Sequence, residues 1–336
     1  MRVAVIGAGH WGPNIIRSFM NHPSSMVNII VEFDKSKWGV LQDKFPEVEL
    51  RQDYTSIQES EIDCVAIVTP AASHFEILKY FIKLNKHIFV EKPLTKSLDE
   101  ALSIKEETKS NFSKCLMVGH IYLYSSTIIE AKRLLDLGYL GDIFHITMQR
   151  TNLGPVRTDV NVTFDLAAHD ISILNYFLQD EPESVSSIEG NWINKGIADA
   201  SFTTLRYKNN LIVNIQCSWL SPRKTREIIV VGSKKMMIID ELNENTPLVV
   251  FDRGIEEDDS KYPYFDNLDQ FRKAVKRGAE EVVKIQVHQP LHQEINHFIE
   301  SAMNRLQPKT DIEFGLKVVR VLEKMVLSAE AYDSKN

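Results

Sequence analysis

The sequence predicts an α/β domain with a doubly wound parallel sheet, followed by an α+β domain built on an open, mainly antiparallel sheet. Up to about residue 121, short apolar runs alternate with amphipathic helical stretches, as in sheets that helices cover on both faces. After that point several β patterns follow one another with short turns between them, which is typical of antiparallel strands. We therefore expect domains at residues 1–121 and 122–336.

The elements of the first domain are predicted from apolar runs without polar alternation, which suit strands buried on both faces. Between these runs, Ser97-Leu98-Asp99-Glu100 matches a capping box and predicts a helix that runs to residue 109. Ser73 is the expected N-cap of a helix over 74–85. The predicted strands are 3–7, 27–32, 48–51, 64–69, 87–90 and 115–119.

The elements of the second domain are mostly long β patterns joined by short turns. The open face of their sheet is expected to be buried in a homodimer or homotetramer. The acidic stretch 256–259 is expected to be a solvated loop. The strand patterns lie at 143–149, 185–193, 200–207, 211–219, 227–231, 236–240 and 247–251, and the helix patterns at 126–137, 165–178, 291–304 and 314–331.

Composition limits the function classes. The chain has 336 residues, 43% of them hydrophobic and 25% charged, as in globular proteins with full cores. Its net charge of −7 argues against nucleic-acid binding, which needs a basic face. No apolar run approaches the ~18 residues of a membrane span, and the amino terminus enters a strand at once, so neither a membrane segment nor a signal peptide is expected. The three widely spaced cysteines are expected to be buried thiols of a cytoplasmic protein.

Residues 7–12, Gly-Ala-Gly-His-Trp-Gly, fit the G-x-G-x-x-G pattern between a predicted strand and a predicted helix at 14–19. In a Rossmann domain these glycines form a tight turn, let the backbone approach a pyrophosphate and let the helix pack on the strand. Glu32 ends the second strand, where a carboxylate can accept from ribose hydroxyls and repel a 2′-phosphate. The pattern therefore predicts NAD, with NADP less favoured, although Lys35 and Lys37 lie close enough to weaken that repulsion.

Two further loops follow predicted strands at the edge where ligands of open α/β sheets bind. The first begins at Thr69 and Pro70, and its His74 is either a surface helix residue or a cofactor contact. The second contains Glu91 and Lys92, which put an ammonium group beside a carboxylate near the expected dinucleotide. The expected cofactor-binding residues are Gly7, Gly9, His10, Trp11, Gly12, Glu32, Thr69, Pro70, His74, Glu91 and Lys92.

Five motifs occur in order along the chain: Gly-Ala-Gly-His-Trp-Gly-Pro-Asn at 7–14, Thr-Pro at 69–70, Glu-Lys-Pro at 91–93, Gly-His at 119–120 and Asp-Leu-Ala-Ala-His-Asp at 165–170. As a set they resemble the glucose–fructose oxidoreductase, inositol dehydrogenase and rhizopine catabolism (Gfo/Idh/MocA) family of NAD(P)-dependent oxidoreductases, over essentially the whole length. The resemblance implies that Lys92, Asp165 and His169 stand at the nicotinamide as the catalytic residues. It also implies that Glu91 is the glutamate of the motif that binds the nicotinamide ring.

The residue types agree with that implication. Oxidation of a secondary alcohol needs a base for the hydroxyl proton, and the ordinary pKa of histidine, near ~6.5, favours His169, although the sequence leaves Lys92 open as the alternative. Asp165 and His169 are spaced i, i+4, so on a helix they share one face. Lys92 is expected to polarise the reacting oxygen. His120 is expected to contact substrate or cofactor.

The subgroup that the chain resembles oxidises a ring hydroxyl, often at C3, of UDP-N-acetylhexosamines or related sugars used for surface polysaccharides. Arg150 and Arg157 are expected to assist at the diphosphate, because guanidinium matches phosphate geometry. The basic cluster at 223–226 is explained equally well by a diphosphate site and by a solvated turn. The expected substrate-binding residues are Lys92, His120, Arg150, Arg157, Asp165 and His169.

Alternatives stay open. The substrate is alternatively a free sugar or polyol, as for inositol dehydrogenase, and the sequence sets neither the exact sugar nor the reaction direction. The alternative of another class is a non-catalytic regulator that senses dinucleotide or sugar, which would not need Lys92 and His169. His288, His292 and His297 do not predict a metal site, because Pro290 breaks any helix between the first two and no cysteine cluster accompanies them.

Overall fold

A computed structural model of the chain describes residues 1–255 and 275–333, so the predicted acidic loop at 256–259 lies outside the described residues. The chain forms two compact units. The first comprises Met1–Tyr124, Arg157–Asn175 and His288–Lys324, and the second comprises Ser125–Val156 and the described parts of Tyr176–Val287 and Met325–Asn336.

The units are not separated by one cut of the chain. The first segment of the first unit ends at Tyr124, close to the predicted boundary at residue 121, but two later segments also belong to that unit. Periodicity assigns consecutive residues to one domain, and it carries no information about a later helix that returns to an earlier core. The division into a Rossmann domain at 1–121 and a substrate-binding and oligomerisation domain at 122–336 therefore remains a prediction.

The sheet of the first unit is parallel throughout, in the order β3-β2-β1-β4-β5-β6. The chain winds outward from β1 in one direction and then in the other, which puts the switch point at the carboxyl ends of β1 and β4. The predicted doubly wound Rossmann sheet is thereby confirmed. Its elements are β1 (Arg2–Ile6), α1 (Gly12–Met20), β2 (Met26–Val31), α2 (Trp38–Lys44), β3 (Glu49–Arg51), β4 (Cys64–Ile67), α3 (His74–Lys83), β5 (His87–Glu91), α4 (Leu98–Asn111) and β6 (Leu116–Gly119).

The two serines predicted as helix N-caps in this unit, Ser97 and Ser73, differ in whether their side chains bond to the helix. The Ser97 hydroxyl accepts a hydrogen bond from the Glu100 amide at 3.3 Å, so α4 begins as predicted, although the Glu100 carboxylate accepts from the Lys96 amide instead of closing the box. Ser73 is the N-cap residue of α3, as predicted, but its side chain does not cap the helix. Its backbone is helical, and its hydroxyl donates to the Pro70 carbonyl at 2.8 Å, an acceptor that the preceding turn brings close.

The sheet of the second unit is mixed, in the order β14-β13-β12-β11-β7-β10-β9-β8. Only β7 and β10 pair in parallel among these described strands; the other neighbours are antiparallel, so the predicted open, mainly antiparallel sheet is confirmed. Its elements are α5 (Ser126–Asp136), β7 (Ile143–Leu153), β8 (Ser184–Gly190), β9 (Ala200–Arg206), β10 (Ile212–Ser218), β11 (Leu220–Gly232), β12 (Met236–Asp240), β13 (Leu248–Ile255) and β14 (Val275–Val282), the last of which was not predicted.

The remaining helices are α6 (Ala168–Leu178), α7 (Pro290–Asn304) and α8 (Ile312–Asp333). Along β9 and β10 buried and exposed residues alternate, so one face of the mixed sheet is covered while Phe202 and Ile212 are exposed on the other. Oligomerisation through that face remains a prediction. The cysteines are buried free thiols, and no helix in the described ranges is long and apolar enough to cross a membrane.

Loss of the α4 cap is testable by Ser97→Ala, which removes the acceptor for the Glu100 amide. We expect a loss of about 1 kcal/mol in the free energy of unfolding, measured by urea denaturation. Ser110→Ala, at the other end of the same helix, is the control and should be near neutral, because Ser110 is exposed and its hydroxyl bonds only to the Glu107 carbonyl. Equal losses in both variants would contradict the cap assignment.

Candidate active site

The glycine turn after β1 has the backbone shape that its sequence requires. Gly7 has φ +96°, and a side chain there would lie 2.8 Å from the Val68 carbonyl oxygen. A Cβ at Gly12, the first residue of α1, would lie 2.6 Å from the carbonyl oxygen of Gly7. At Gly9 a Cβ would meet nothing within 4 Å, so open space lies beside the turn at the helix N-terminus. This arrangement fits a dinucleotide whose pyrophosphate approaches bare backbone.

Glu32 follows β2 and turns its carboxylate to the glycine turn. One oxygen accepts a hydrogen bond from the Ala8 amide at 3.1 Å and the other accepts from the Asp34 amide at 3.0 Å. The side chain is almost fully buried, and the Lys37 ammonium lies 3.6 Å from Oε1. Each carboxylate oxygen can accept a further hydrogen bond. Glu32 therefore lies beside the glycine turn with Lys37 next to it, and its role as the ribose acceptor remains a prediction.

His74 connects the loops that follow β4 and β5. Its ring is fully buried, with Nδ1 2.9 Å from the Pro93 carbonyl oxygen and Nε2 2.9 Å from that of Thr69. Burial lowers its pKa. Both nitrogens face backbone carbonyls, so His74 fixes the two loops rather than offering a nitrogen to a cofactor. Thr69 in turn packs its methyl group where a Cβ at Gly7 would lie.

Glu91, at the end of β5, is joined to the glycine turn by a tryptophan. The Trp11 indole nitrogen donates to Oε1 at 2.9 Å, and the Lys92 amide donates to Oε2 at 3.2 Å. Burial raises the pKa of Glu91 to about 7, against the opposing effects of the Lys92 ammonium and the indole hydrogen bond. Glu91 thus holds the side chain of Trp11, a residue of the glycine turn, at the carboxyl end of β5.

Lys92 is held by the segment that precedes α6. Its ammonium donates to the Asp165 backbone carbonyl at 2.8 Å and lies 3.5 Å from that residue's carboxylate; both side chains are 16% exposed. The Arg157 guanidinium donates to the same carboxylate oxygen at 3.1 Å and also pairs with Asp159. These acidic partners raise the pKa of Arg157. The structure therefore brings Lys92, Asp165 and Arg157 together, although they are far apart in sequence.

His169 lies one turn further along the chain. Asp165 sits in a π-helical turn (Thr163–Ala167), not in the regular α-helix that was expected, and His169 is in the first turn of α6. The Asn161 side chain accepts from the Phe164 amide at 2.9 Å and so caps this entry. The imidazole and the Tyr122 ring pack in a T-shaped arrangement at a centroid distance of 4.8 Å.

His120 directly follows β6 and is 1% exposed. Neither ring nitrogen has a hydrogen-bond partner among the described residues, and the ring packs against Phe314 at 5.5 Å. Burial lowers its pKa to about 3, and the Lys92 ammonium acts in the same direction. His120 is therefore neutral, and its place near Lys92 fits the expected contact.

Arg150 belongs to the second unit, where it is 2% exposed and lies 3.5 Å from the Glu241 carboxylate. A buried guanidinium paired in this way is not available to a ligand phosphate, so the structure does not support the predicted phosphate contact. The pattern pointed to Arg150 because of its charge, but an alternating strand buries every second side chain. In the basic cluster, Arg226 donates to the Thr151 carbonyl at 2.9 Å, while Arg223 and Lys224 are exposed.

Glu294 was not predicted. It lies on α7, is fully buried, and neither carboxylate oxygen has a hydrogen-bond partner in the described part of the chain. Burial raises its pKa, and the charge of Glu91 raises it further. The available signal was its position on the apolar stripe of α7, one turn before Phe298.

Within residues 1–255 and 275–333 no cluster of three or more histidine, cysteine or acidic side chains has the arrangement of a metal site. His288 and His292 are exposed, and His297 accepts a hydrogen bond from the Lys309 amide at 2.9 Å. The expectation that the protein binds no metal remains a prediction.

Two family models match the chain. A model described as an oxidoreductase family with an NAD-binding Rossmann fold (GFO_IDH_MocA) matches residues 1–120, and the GFO/IDH/MocA C-terminal domain matches residues 128–238. Among characterised relatives, scyllo-inositol 2-dehydrogenase (NAD(+)) of Bacillus subtilis is 26% identical over 77% of this chain and 73% of its own length. Myo-inositol 2-dehydrogenase of Thermotoga maritima is 24% identical over 83% of this chain and 89% of its own length.

Solved structures share the fold. UDP-N-acetylglucosamine 3-dehydrogenase from Acidithiobacillus ferrooxidans superposes with a TM-score of 0.80 at 21% identity, covering 99% of this chain and 98% of that chain. A 3-ketoreductase from Actinomadura kijaniata, solved with TDP-benzene and NADP, gives 0.82 at 16% identity, with 98% and 97% covered. At these identities the likeness shows the fold alone.

The glycine turn is testable by Gly12→Ala and Gly9→Ala. We expect Gly12→Ala to lower the free energy of unfolding by about 1–3 kcal/mol, because its methyl group meets backbone. Gly9→Ala should leave stability within about 0.5 kcal/mol of the wild type but weaken NAD binding at least about tenfold, because backbone approach to the pyrophosphate is lost. Urea denaturation and calorimetric NAD titration measure the two effects. Wild-type NAD affinity in Gly9→Ala would place the phosphates elsewhere.

Proposed function

Because this chain belongs to the Gfo/Idh/MocA family of NAD-binding oxidoreductases, we propose that it transfers hydride between NAD and a ring hydroxyl, or the corresponding ketone, of a nucleotide sugar, with C3 as the reacting position. The observation that carries the proposal is the contact between Lys92, at the carboxyl edge of the parallel sheet, and Asp165. Asp165 lies about one helical turn before His169 in the chain. Oxidation of a hydroxyl carbon requires a base for the hydroxyl proton and a group that stabilises the charge on the oxygen. An imidazole and a half-buried ammonium at such an edge can fill these two roles.

The cofactor is held by the glycine turn, with Glu32 as the ribose acceptor and Trp11, Thr69 and Glu91 around it. Bound NAD supplies the hydride acceptor for oxidation, and its reduced form supplies the donor for the reverse direction. Glu32 favours NAD over NADP, because its buried carboxylate would repel a 2′-phosphate. The Lys37 ammonium at 3.6 Å weakens that preference without removing it.

The protein's own groups handle the proton and the charge on the substrate oxygen. His169 accepts the hydroxyl proton, since the ordinary pKa of histidine is close to neutral pH. Lys92 stabilises the negative charge that develops on the oxygen, and its contacts to Asp165 fix it in place before the reaction, which avoids reorganisation. A regulator that only sensed a dinucleotide would have no need of this pair.

Arg157 supports a nucleotide sugar over a neutral ring. It is 37% exposed and lies beside Asp165, so it is a cation that a phosphate-bearing substrate can reach. A second candidate is a free polyol or sugar. It is favoured by the similarity to the two inositol dehydrogenases of Bacillus subtilis and Thermotoga maritima, and by the fact that Asp159 and Asp165 already balance the Arg157 charge.

Removal of either reacting group tests the proposal. We expect Lys92→Ala and His169→Ala each to lower kcat about 100-fold or more while NAD still binds, because a positioned acid or base contributes that much. Lys96→Ala and His292→Ala remove an exposed lysine and an exposed histidine and should turn over at the wild-type rate. Absorbance of the reduced nicotinamide gives the rates. Normal kcat in Lys92→Ala or His169→Ala would remove that residue from the mechanism.

Substrate class is decided by assaying the wild type and Arg157→Ala against UDP-N-acetylglucosamine, myo-inositol, scyllo-inositol and glucose. We expect turnover of the nucleotide sugar, and an increase in its KM of about tenfold or more in the variant, because a charge-assisted hydrogen bond to phosphate is lost. Arg133→Ala, which breaks an exposed arginine–glutamate pair, is the control. Turnover of the inositols alone would establish the second candidate.

A further inference from the structure

Glu294 is a buried carboxyl group with no charge partner. It lies in α7 between Pro290 and Phe298, it has no exposed surface, and no donor reaches either oxygen within the described residues. An isolated carboxylate in such a place is strongly disfavoured, and the group takes up a proton instead. Glu294 is therefore expected to be neutral at a pH where ordinary glutamates are ionised.

Its carboxylate neighbour is Glu91. The charge of Glu91 adds to the effect of burial on Glu294, so the two groups lie within electrostatic reach inside the same unit. Glu91 differs in having donors: the indole of Trp11 and the amide of Lys92 each bond to one of its oxygens. Of the two carboxyl groups, Glu91 is the one whose surroundings stabilise a negative charge.

We propose that Glu294 is a positioning residue that retains its proton at neutral pH, so that Glu91 and Glu294 together carry a single negative charge. That charge sits on the Glu91 carboxylate, which accepts from Trp11 and thereby holds the indole of the glycine turn at the end of β5. The inference rests on the proposed function only in assigning that turn to the dinucleotide. It adds a group that contacts neither cofactor nor substrate.

The charged groups around the pair agree with one negative charge. On the side of Glu91 lie the Lys92 ammonium and, beyond it, Asp165 and Arg157, which pair with each other. His120, on the neighbouring strand end, is neutral.

The elements in closest contact with α7 are the 3-10 turn Ile121–Tyr124, whose titratable groups are the phenols of Tyr122 and Tyr124, and α1, whose Arg17 is exposed and bonds to Asn14. The Lys309 ammonium donates to the Leu123 carbonyl of that turn at 3.3 Å, and burial together with the Lys309 charge lowers the pKa of His297 on α7. The pKa of Glu294 is raised by burial and by the charge of Glu91.

The sign of the pH effect follows from this. In the unfolded chain Glu294 ionises near its ordinary pKa of about 4.3, whereas in the folded protein it keeps its proton to higher pH. Its contribution to stability is present below the unfolded pKa and is lost as pH rises towards the folded pKa. Across that window the folded-to-unfolded ratio falls by up to about tenfold per pH unit. Glutamine at this position does not titrate, so the Glu294→Gln variant does not lose stability in this way as pH rises.

Urea denaturation of the full chain at pH 5 and pH 8 compares the wild type with Glu294→Gln. We expect the folded-to-unfolded ratio of the variant, relative to that of the wild type, to rise at least about tenfold between pH 5 and pH 8. Glu300→Gln, an exposed position on the same helix, is the control and should show no such pH dependence. A difference between the wild type and Glu294→Gln that does not change with pH would overturn the proposal that Glu294 retains a proton.

Positioning is read from Trp11 and from NAD binding, neither of which needs a sugar. Glu294→Gln, which is neutral and of nearly the same shape, should keep the NAD Kd within about threefold and leave Trp11 fluorescence unchanged, isolated by subtraction of Trp11→Phe. Glu294→Ala and, should that fail to fold, Glu294→Leu should weaken NAD binding at least about tenfold and shift the emission to longer wavelength. Equal NAD affinity in all variants would overturn the positioning role.

One further outcome overturns the proposal. If K⁺ or Mg²⁺ stabilised the wild type at pH 8 but not Glu294→Gln, a cation and not a proton would balance the pair. Failure of the proposed function is distinct from all of these outcomes, because it would appear as no turnover of any sugar while the pH-dependent gain of Glu294→Gln and the NAD effects were still observed.

Discussion

A lysine ammonium at the carboxyl end of β5 must find oxygen ligands once most of its surface is buried. Lys92 obtains them from the backbone carbonyl and the carboxylate of Asp165, a residue that lies well beyond the end of the Rossmann segment in the chain. This requirement explains why the segment Arg157–Asn175 belongs to the first compact unit. The same contact brings Arg157 and His169 to the sheet edge that carries the glycine turn. One ion pair thereby joins the cofactor motif to the groups expected to handle the substrate.

The parts of the fold that depend on local chemistry could be predicted from the sequence. The glycine turn, the Ser97 cap and the order of strands and helices each follow from a few consecutive residues, and the structure contains them. Ser73 is at the predicted N-cap position of α3, but its hydroxyl donates to the Pro70 carbonyl and does not accept from a helix amide, which the local sequence did not predict. The parallel pairing of β7 with β10 and the strand β14 depend on contacts between distant segments, to which periodicity is blind.

Within the candidate site, residue types were predictable and their burial was not. His74 and Arg150 were chosen as ligand contacts for their chemistry, yet tertiary packing gives each of them protein partners, two carbonyls for the histidine and Glu241 for the arginine. Glu294 could not be singled out from the sequence, because one glutamate in a helix is ordinarily solvated. Its effect arises from burial next to Glu91, and no spacing along the chain encodes that proximity.

The charge balance of the edge links the two proposals. Lys92 and Arg157 carry two positive charges, Asp159 and Asp165 carry two negative ones, and the Glu91–Glu294 pair adds one negative charge or two according to its protons. Oxidation places a further negative charge on the substrate oxygen, and every fixed anion nearby raises the free energy of that state. A proton retained by Glu294 therefore keeps Glu91 as an acceptor for Trp11 while sparing the reacting oxygen a second buried anion. Glu294 then favours the reaction because it is uncharged and does not repel the negative charge that develops on the substrate oxygen, although it contacts no ligand.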